Sequence, residues 1–254
     1  MPITAVTGSA SGIGAALCAQ LREAGHSVIG IDRANADINT DLSSAEGRQQ
    51  AIKQIIDRCG GRLDNLVLCA GLGVTAANCG LILAVNYFAV SALLEGLADA
   101  LSKGNNPAAV VVGSVASVQP GVDEHPIIGQ MLDGDEEGAL AASGELSPNL
   151  AYAGSKLAVS ILVRRKVHEW AKFGVRLNVV APGVVETPLY KASTEDARYG
   201  EATRNFVAPL GRGSQPAELA NVIRFLLSAQ ASFMHGTVVF ADGGMDAMIR
   251  PDRF

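Results

Sequence analysis

At 254 residues the chain could hold one large α/β domain or two small ones, and with 48% hydrophobic residues it can bury a sizeable core. Twenty-eight glycines against 5% aromatics fit many tight strand–helix turns better than a β-sandwich. A net charge of −5 and an isoelectric point near 5.4 exclude the basic footprint of a nucleic-acid-binding protein.

The chain opens on an apolar strand, Ile3–Val6, so no targeting peptide is expected ahead of it. TGSASGIG, residues 7–14, follows at once and leads into a helical pattern, AALCAQLREAG, whose Gly25 is a natural C-terminal stop. Gly8 suits a tight exit from the strand, Gly12 allows backbone to approach a pyrophosphate, and Gly14 allows helix and strand to pack closely. The N–H groups of the helix N-terminus would then meet phosphates. A glycine-rich turn without any ligand is the competing reading. The second strand, Val28–Ile31, runs into Asp32, eighteen residues past Gly14. A carboxylate there can accept both hydroxyls of an adenosine ribose and repels a 2′-phosphate, which favours NAD over NADP. Arg33 works against this inference, because a guanidinium can stack on adenine or meet a phosphate.

A weak strand near Asp37–Asn39 precedes the helical pattern EGRQQAIKQIIDRCG and a strand at Leu66–Cys69. No charged residue occurs from Asn65 to Leu94, yet Gly71, Gly73, Asn78, Gly80 and Asn86 interrupt the run. It is better read as strand, loop and core helix than as a membrane span. The strand Ala109–Val112 ends beside Ser114. Residues 118–149 then break the alternation with seven carboxylates, no Lys or Arg, and an apolar patch of Ile127, Ile128, Met131 and Leu132. Such an insertion is a partly helical lid over a site or a surface ornament; as a lid, its patch is partly exposed until a ligand buries it, and the fold survives without it.

Tyr152 and Lys156 follow, one helical turn apart at the start of an apolar helix, with Ser155 between them. Alone, the pair is either a surface hydrogen bond or a phenol whose proton must leave near neutral pH. The remaining strands are expected at Arg176–Val180 and Thr237–Phe240, with a helix from Pro216 between them. Near-continuous apolar strands alternating with helices imply one domain, 1–254, built on a seven-stranded parallel sheet covered on both faces. Four cysteines without metal-type spacing read as free thiols of a cytoplasmic protein, and four scattered histidines as ordinary ones, so no metal site is expected.

TGSASGIG, Asp41-Leu42, CAG at 69–71, Asn86, Ser114, Tyr152-x-x-x-Lys156, and PG at 182–183 with Thr187 fall in a fixed order that resembles the short-chain dehydrogenase/reductase family over nearly the whole chain. Cys69 stands where that family has Asn. The resemblance implies a Rossmann-type doubly wound fold, NAD as cofactor, and a catalytic set of Asn86, Ser114, Tyr152 and Lys156. It places the cofactor on Gly8, Ser11, Gly12, Ile13, Gly14, Asp32, Arg33, Asp41, Leu42, Ala70, Gly71, Tyr152, Lys156 and Thr187. Tyr152 is then the general acid/base, its pKa drawn down from about 10 by the Lys156 ammonium and a positive nicotinamide ring. Ser114, preferred to Ser117 by the family pattern, holds the substrate oxygen, and Asn86 holds a water that relays protons to Lys156.

Ser114 and Tyr152 lie 38 residues apart, far more than the dozen usual in the family. With NYF at 86–88, RYGE at 198–201 and the tail DGGMDAMIRPDRF, this spacing is similar to the bacterial 3α-hydroxysteroid dehydrogenase/carbonyl reductases. That likeness implies a steroid substrate, covered by the insertion and by a substrate loop at 184–213, with Ile127, Met131, Leu189, Tyr190, Phe206 and Val207 as apolar surface. It further implies a homodimer through the last helix and strand, because the insertion obstructs the helix used in the family's homotetramers. Other hydrophobic alcohols or a 3-hydroxyacyl thioester are the alternative substrates; a non-catalytic dinucleotide sensor is the alternative function.

Overall fold

The structure is a computed structural model and describes residues 1–253; Phe254, the end of the quoted tail and of the expected domain, lies outside them. Seven strands make one sheet: β1 (Ile3–Thr7), β2 (Ser27–Asp32), β3 (Ile38–Asn39), β4 (Asn65–Leu68), β5 (Ala108–Val112), β6 (Arg176–Pro182) and β7 (Val238–Ala241). Their order is β3-β2-β1-β4-β5-β6-β7 and every neighbouring pair is parallel. The expected boundaries differ from these by one or two residues. β4, β5 and β6 are buried along their whole length, as sheets with helices on both faces require.

The helices in chain order are α1 (Gly12–Glu23), α2 (Ala45–Cys59), α3 (Cys79–Leu83), α4 (Ala89–Ser102), α5 (Ile127–Leu132), α6 (Glu136–Ala142), α7 (Pro148–Arg165), α8 (Val167–Lys172), α9 (Pro188–Glu195), α10 (Gly200–Asn205), α11 (Pro216–Leu227) and α12 (Met245–Ile249). A π-helical turn, Ala84–Phe88, joins α3 to α4 without a break. Leu17 and Leu21 of α1 and Leu219 and Ile223 of α11 pack on one face of the sheet. Ile55 of α2, Leu93 and Leu97 of α4 and Val159 of α7 pack on the other. Among the described residues one continuous helix, Cys79–Ser102, is long and apolar enough to cross a membrane; its apolar side chains form part of this core.

The insertion is partly helical, as expected, but its apolar patch is not exposed. Ile127, Ile128 and Met131 are 1%, 6% and 0% exposed, and Leu132 is half-buried against the same core. The cause is α7, where Gly154 leaves room that Ile127 and Ile128 fill. Burying each large side chain there stabilises by about 1.5–3 kcal/mol. The acidic frame is fastened as well: Glu136 pairs at 2.7 Å with Arg48 of α2, a buried guanidinium, and Asp135 caps α6 by accepting from the Gly138 N–H. Residues 118–149 are therefore joined to the core, which weighs against the expectation that the fold survives without them. Ile127 and Met131, expected to face a substrate, are spent on packing instead.

Candidate active site

A cleft of about 680 Å³ runs along the carboxyl ends of the strands. It includes the point where β1 and β4 send their connections to opposite faces, the place at which open parallel sheets bind ligands. Thr7 ties the two connections together, its hydroxyl accepting the Ala70 N–H at 3.1 Å.

The glycine turn forms the floor at one end. Gly8 has φ +68°, and a Cβ there would lie 2.8 Å from the Ala70 nitrogen; Gly12 has φ +52°, and a Cβ would lie 3.1 Å from the Thr187 methyl. Both positions need glycine for conformation and for space. Gly14 lets α1 approach the end of β1 closely, since a Cβ would strike the Gly8 carbonyl oxygen just past the strand. Ser11 and Ile13 line the cleft beside them at the start of α1. Asp32 ends β2, accepting the Ala10 N–H at 3.0 Å and the Arg33 N–H at 2.7 Å. Two carboxylate oxygens carry about four acceptor positions, so capacity for ribose hydroxyls remains. Arg33, Asp41 and Leu42 complete this end; the Ser43 backbone N–H on Asp41 holds its carboxyl below the ordinary range.

The other end gathers residues distant in sequence. Ser114 follows β5 and starts a short 3₁₀ turn, its Oγ accepting the Ala116 N–H at 3.1 Å. It lines the cleft, whereas Ser117 does not. Tyr152 and Lys156 face the cleft from α7, with the Lys156 Nζ 6.0 Å from the Tyr152 ring centroid. The ammonium donates to the Val112 carbonyl at 2.8 Å. Burial lowers the Lys156 pKa to about 8. Without a cofactor's charge beside it, burial raises the Tyr152 phenol pKa, opposed by the nearby Ser114 hydroxyl. Lys156 is itself desolvated and directed at a carbonyl, so it does not overcome the cost of burying a phenolate.

Asn86 sits wholly buried in the π turn. Its Oδ1 accepts the Leu72 N–H at 2.8 Å, and its Nδ2 donates to the Leu72 carbonyl at 3.0 Å and to the Ser155 Oγ at 3.1 Å. Ala70, Gly71 and Leu72 form the adjoining wall. Thr187 caps α9, accepting the Tyr190 N–H, and lines the cleft with Leu189, Tyr190 and Phe206. From 118–149 the cleft receives only Gln119 and Asn149, so the upper wall is built by 184–213; Val207 stays outside it. Sequence reasoning did not find the Val112 carbonyl or the Ser155 contact, since nothing local to either marks its partner.

Comparison with known proteins agrees with this geometry. The short chain dehydrogenase family profile matches residues 2–125, and a second profile, described as enoyl-(acyl carrier protein) reductase, matches 139–246. The 3α-hydroxysteroid dehydrogenase/carbonyl reductase of Comamonas testosteroni is 46% identical over 100% of both chains. The chain is a short-chain dehydrogenase. The crystal structure of 3α-hydroxysteroid dehydrogenase from Pseudomonas sp. B-0831 complexed with NADH is 63% identical, covers 99% of this dehydrogenase and 100% of its own chain, and superposes with a TM-score of 0.98. The coniferyl-alcohol dehydrogenase of Pseudomonas sp. is 29% identical over 94% of each chain. The stretch between the two family matches, 126–138, is α5 and the start of α6, so the part of the dehydrogenase outside both profiles is the segment docked on α7.

Proposed function

We propose that this dehydrogenase uses NAD(H) to interconvert a secondary alcohol and a ketone, and that its substrate is the 3α-hydroxyl or 3-oxo group of a steroid, with carbonyl reductase activity. The observation that carries the reading is the shared cleft wall of Ser114, Tyr152 and Lys156, beside a glycine cradle and the Asp32 carboxylate. The two steroid-dehydrogenase relatives, similar over their full lengths, support the substrate class.

The residues present fit NAD. Gly8 and Gly12 line the cleft without side chains, which leaves their backbone open to a pyrophosphate, and Asp32 opposes a 2′-phosphate. Gly8, Ser11, Gly12, Ile13 and Gly14 would hold the phosphates, Asp32, Arg33, Asp41 and Leu42 the adenosine, and Ala70, Gly71, Tyr152, Lys156 and Thr187 the nicotinamide end. When bound, NAD supplies the hydride acceptor or donor. The chain's own work is on the proton. Tyr152 takes it from the substrate hydroxyl in oxidation and returns it to the carbonyl oxygen in reduction. Burial keeps the phenol protonated and ready for reduction; Lys156, with a pKa of about 8, is cationic at neutral pH and favours the phenolate when oxidation requires it. Ser114 accepts from the Ala116 N–H, which leaves its own proton for the substrate oxygen. A water relaying protons to Lys156 through Asn86 fits their adjacency, because a Cβ on Gly71 would lie 3.3 Å from the Asn86 Oδ1 and 3.5 Å from the Lys156 Nζ.

The same reading includes a homodimer through α11 and β7, in the cytoplasm. β7 is a half-exposed edge strand, Phe225 of α11 is exposed, and Phe233 between them is fully exposed. The four cysteines are free, which suits a reducing compartment. Tyr152→Phe tests the reading: turnover should vanish while NADH binding stays near wild type, since only the transferable proton is lost. A variant keeping more than about a tenth of wild-type turnover removes Tyr152 from the acid/base role.

A further inference from the structure

Ser155 lies between Tyr152 and Lys156 and is 0% exposed, although α7 packs there among apolar neighbours where alanine would serve. Its hydroxyl donates to the Tyr152 carbonyl at 2.7 Å, the backward bond typical of a helical serine. That commits its only proton, so towards Asn86 the Oγ can act only as an acceptor, and it accepts the Nδ2 at 3.1 Å. The direction of this bond decides which way the Asn86 amide faces. With Nδ2 towards Ser155, Oδ1 is left to accept the Leu72 N–H and to face Gly71. The flipped amide would set Nδ2 against the Leu72 N–H, donor against donor, and Oδ1 against a hydroxyl whose proton is already spent.

We infer that Ser155 is a positioning residue that locks the Tyr152 turn of α7 to the Gly71–Leu72 wall of the cleft by fixing the orientation of Asn86. The bonds run from the Tyr152 carbonyl through Ser155 and Asn86 to both backbone groups of Leu72. The central link, between Asn86 Nδ2 and Ser155 Oγ, is buried, so water does not readily replace the acceptor once it is lost. The phenol and the wall on which the nicotinamide end is proposed to rest thus move as one unit. The inference rests on the proposed role of Tyr152.

The test compares Ser155→Ala with Ser155→Thr, using NAD⁺ reduction by cyclohexanol so that the outcome does not depend on a steroid. Ser155→Ala removes the acceptor, and kcat should fall about tenfold to a hundredfold, the size of effect expected from sub-ångström misplacement of an acid/base group. The KM values for alcohol and NAD⁺ should change less than about twofold, since no binding contact is removed. Ser155→Thr crowds the site but keeps the hydroxyl, and should retain most of kcat even where its thermal midpoint drops. Asn86→Ala should lose a similar factor, and the double variant with Ser155→Ala no more than the worse single one. Unchanged kcat in Ser155→Ala overturns the inference; so do equal losses in the Ala and Thr variants, which would mark a packing role, and multiplicative losses in the double variant. Tyr152→Phe serves as the control: if it is active the acid/base reading fails, and if it is inactive beside a fully active Ser155→Ala only the present inference fails.

Discussion

Ile128 of α5 packs against Gly154 of α7, so closely that a Cβ on Gly154 would lie 3.2 Å from the Ile128 Cδ1. The insertion thus rests on the helix that carries Tyr152, two residues from it. Gly154 leaves the room that Ile128 fills, and the exchange buries apolar surface on both sides. Ile128→Ala should cost about 2–5 kcal/mol in urea unfolding, as other large-to-small core changes do. Deleting 123–144 should yield a chain without a cooperative transition, because Ile127, Ile128, Met131 and the Arg48 partner leave together. A truncated protein with the wild-type midpoint would contradict this.

Lys156 predicts a pH dependence of stability. Its pKa falls from 10.5 to about 8 on folding, so between these values the unfolded chain holds more proton than the native one. This residue therefore makes stability rise with pH through that window, and its penalty is fully present below about pH 8. The shift corresponds to roughly 3 kcal/mol. Lys156→Met should accordingly gain stability relative to wild type at pH 7, and the gain should shrink by pH 10. Chemical denaturation at both pH values checks it; a constant difference would show that the native lysine does not titrate in this range.

Asp32 should set the cofactor preference. Asp32→Ala should narrow the advantage of NAD over NADP by about tenfold, the factor that corresponds to 1.4 kcal/mol of lost repulsion. The ratio of kcat/KM values for the two cofactors measures it. A wild-type enzyme that already prefers NADPH would contradict the part given to this carboxylate.

Phe233, fully exposed next to the edge strand, should belong to the proposed dimer contact. Phe233→Glu should convert a dimer into a monomer in equilibrium sedimentation at micromolar concentration, with the fold unchanged by circular dichroism. A wild-type tetramer, or a dimer indifferent to the substitution, would place the contact elsewhere.

The alternation of apolar strands and helices made the sheet legible, because β4 and β5 are almost wholly Val, Leu and Ala, and most strand–helix turns carry glycine. The cleft residues were legible as an ordered set, from the glycine turn to Thr187. What could not be read lies in pairings across the fold. Whether Ile127, Ile128 and Met131 faced a ligand or the core depended on the flank of α7, some twenty residues later, offering Gly154 rather than a larger side chain. The raised phenol pKa depended on how deeply Tyr152 is buried and on where Lys156 points, neither of which the i, i+4 spacing contains. Asn86 stood out as a polar interruption of an uncharged apolar run, but its partners, Leu72 and Ser155, lie 14 and 69 positions away.

Steady-state NAD⁺ reduction with matched 3α- and 3β-hydroxysteroids beside cyclohexanol decides whether the cleft serves a steroid 3α-alcohol. The 3α epimer should be oxidised with a kcat/KM at least about a hundredfold above its 3β partner, the equivalent of some 3 kcal/mol of transition-state discrimination, and well above cyclohexanol. No NAD⁺ reduction with any 3α-hydroxysteroid, or equal rates for the two epimers, would contradict it.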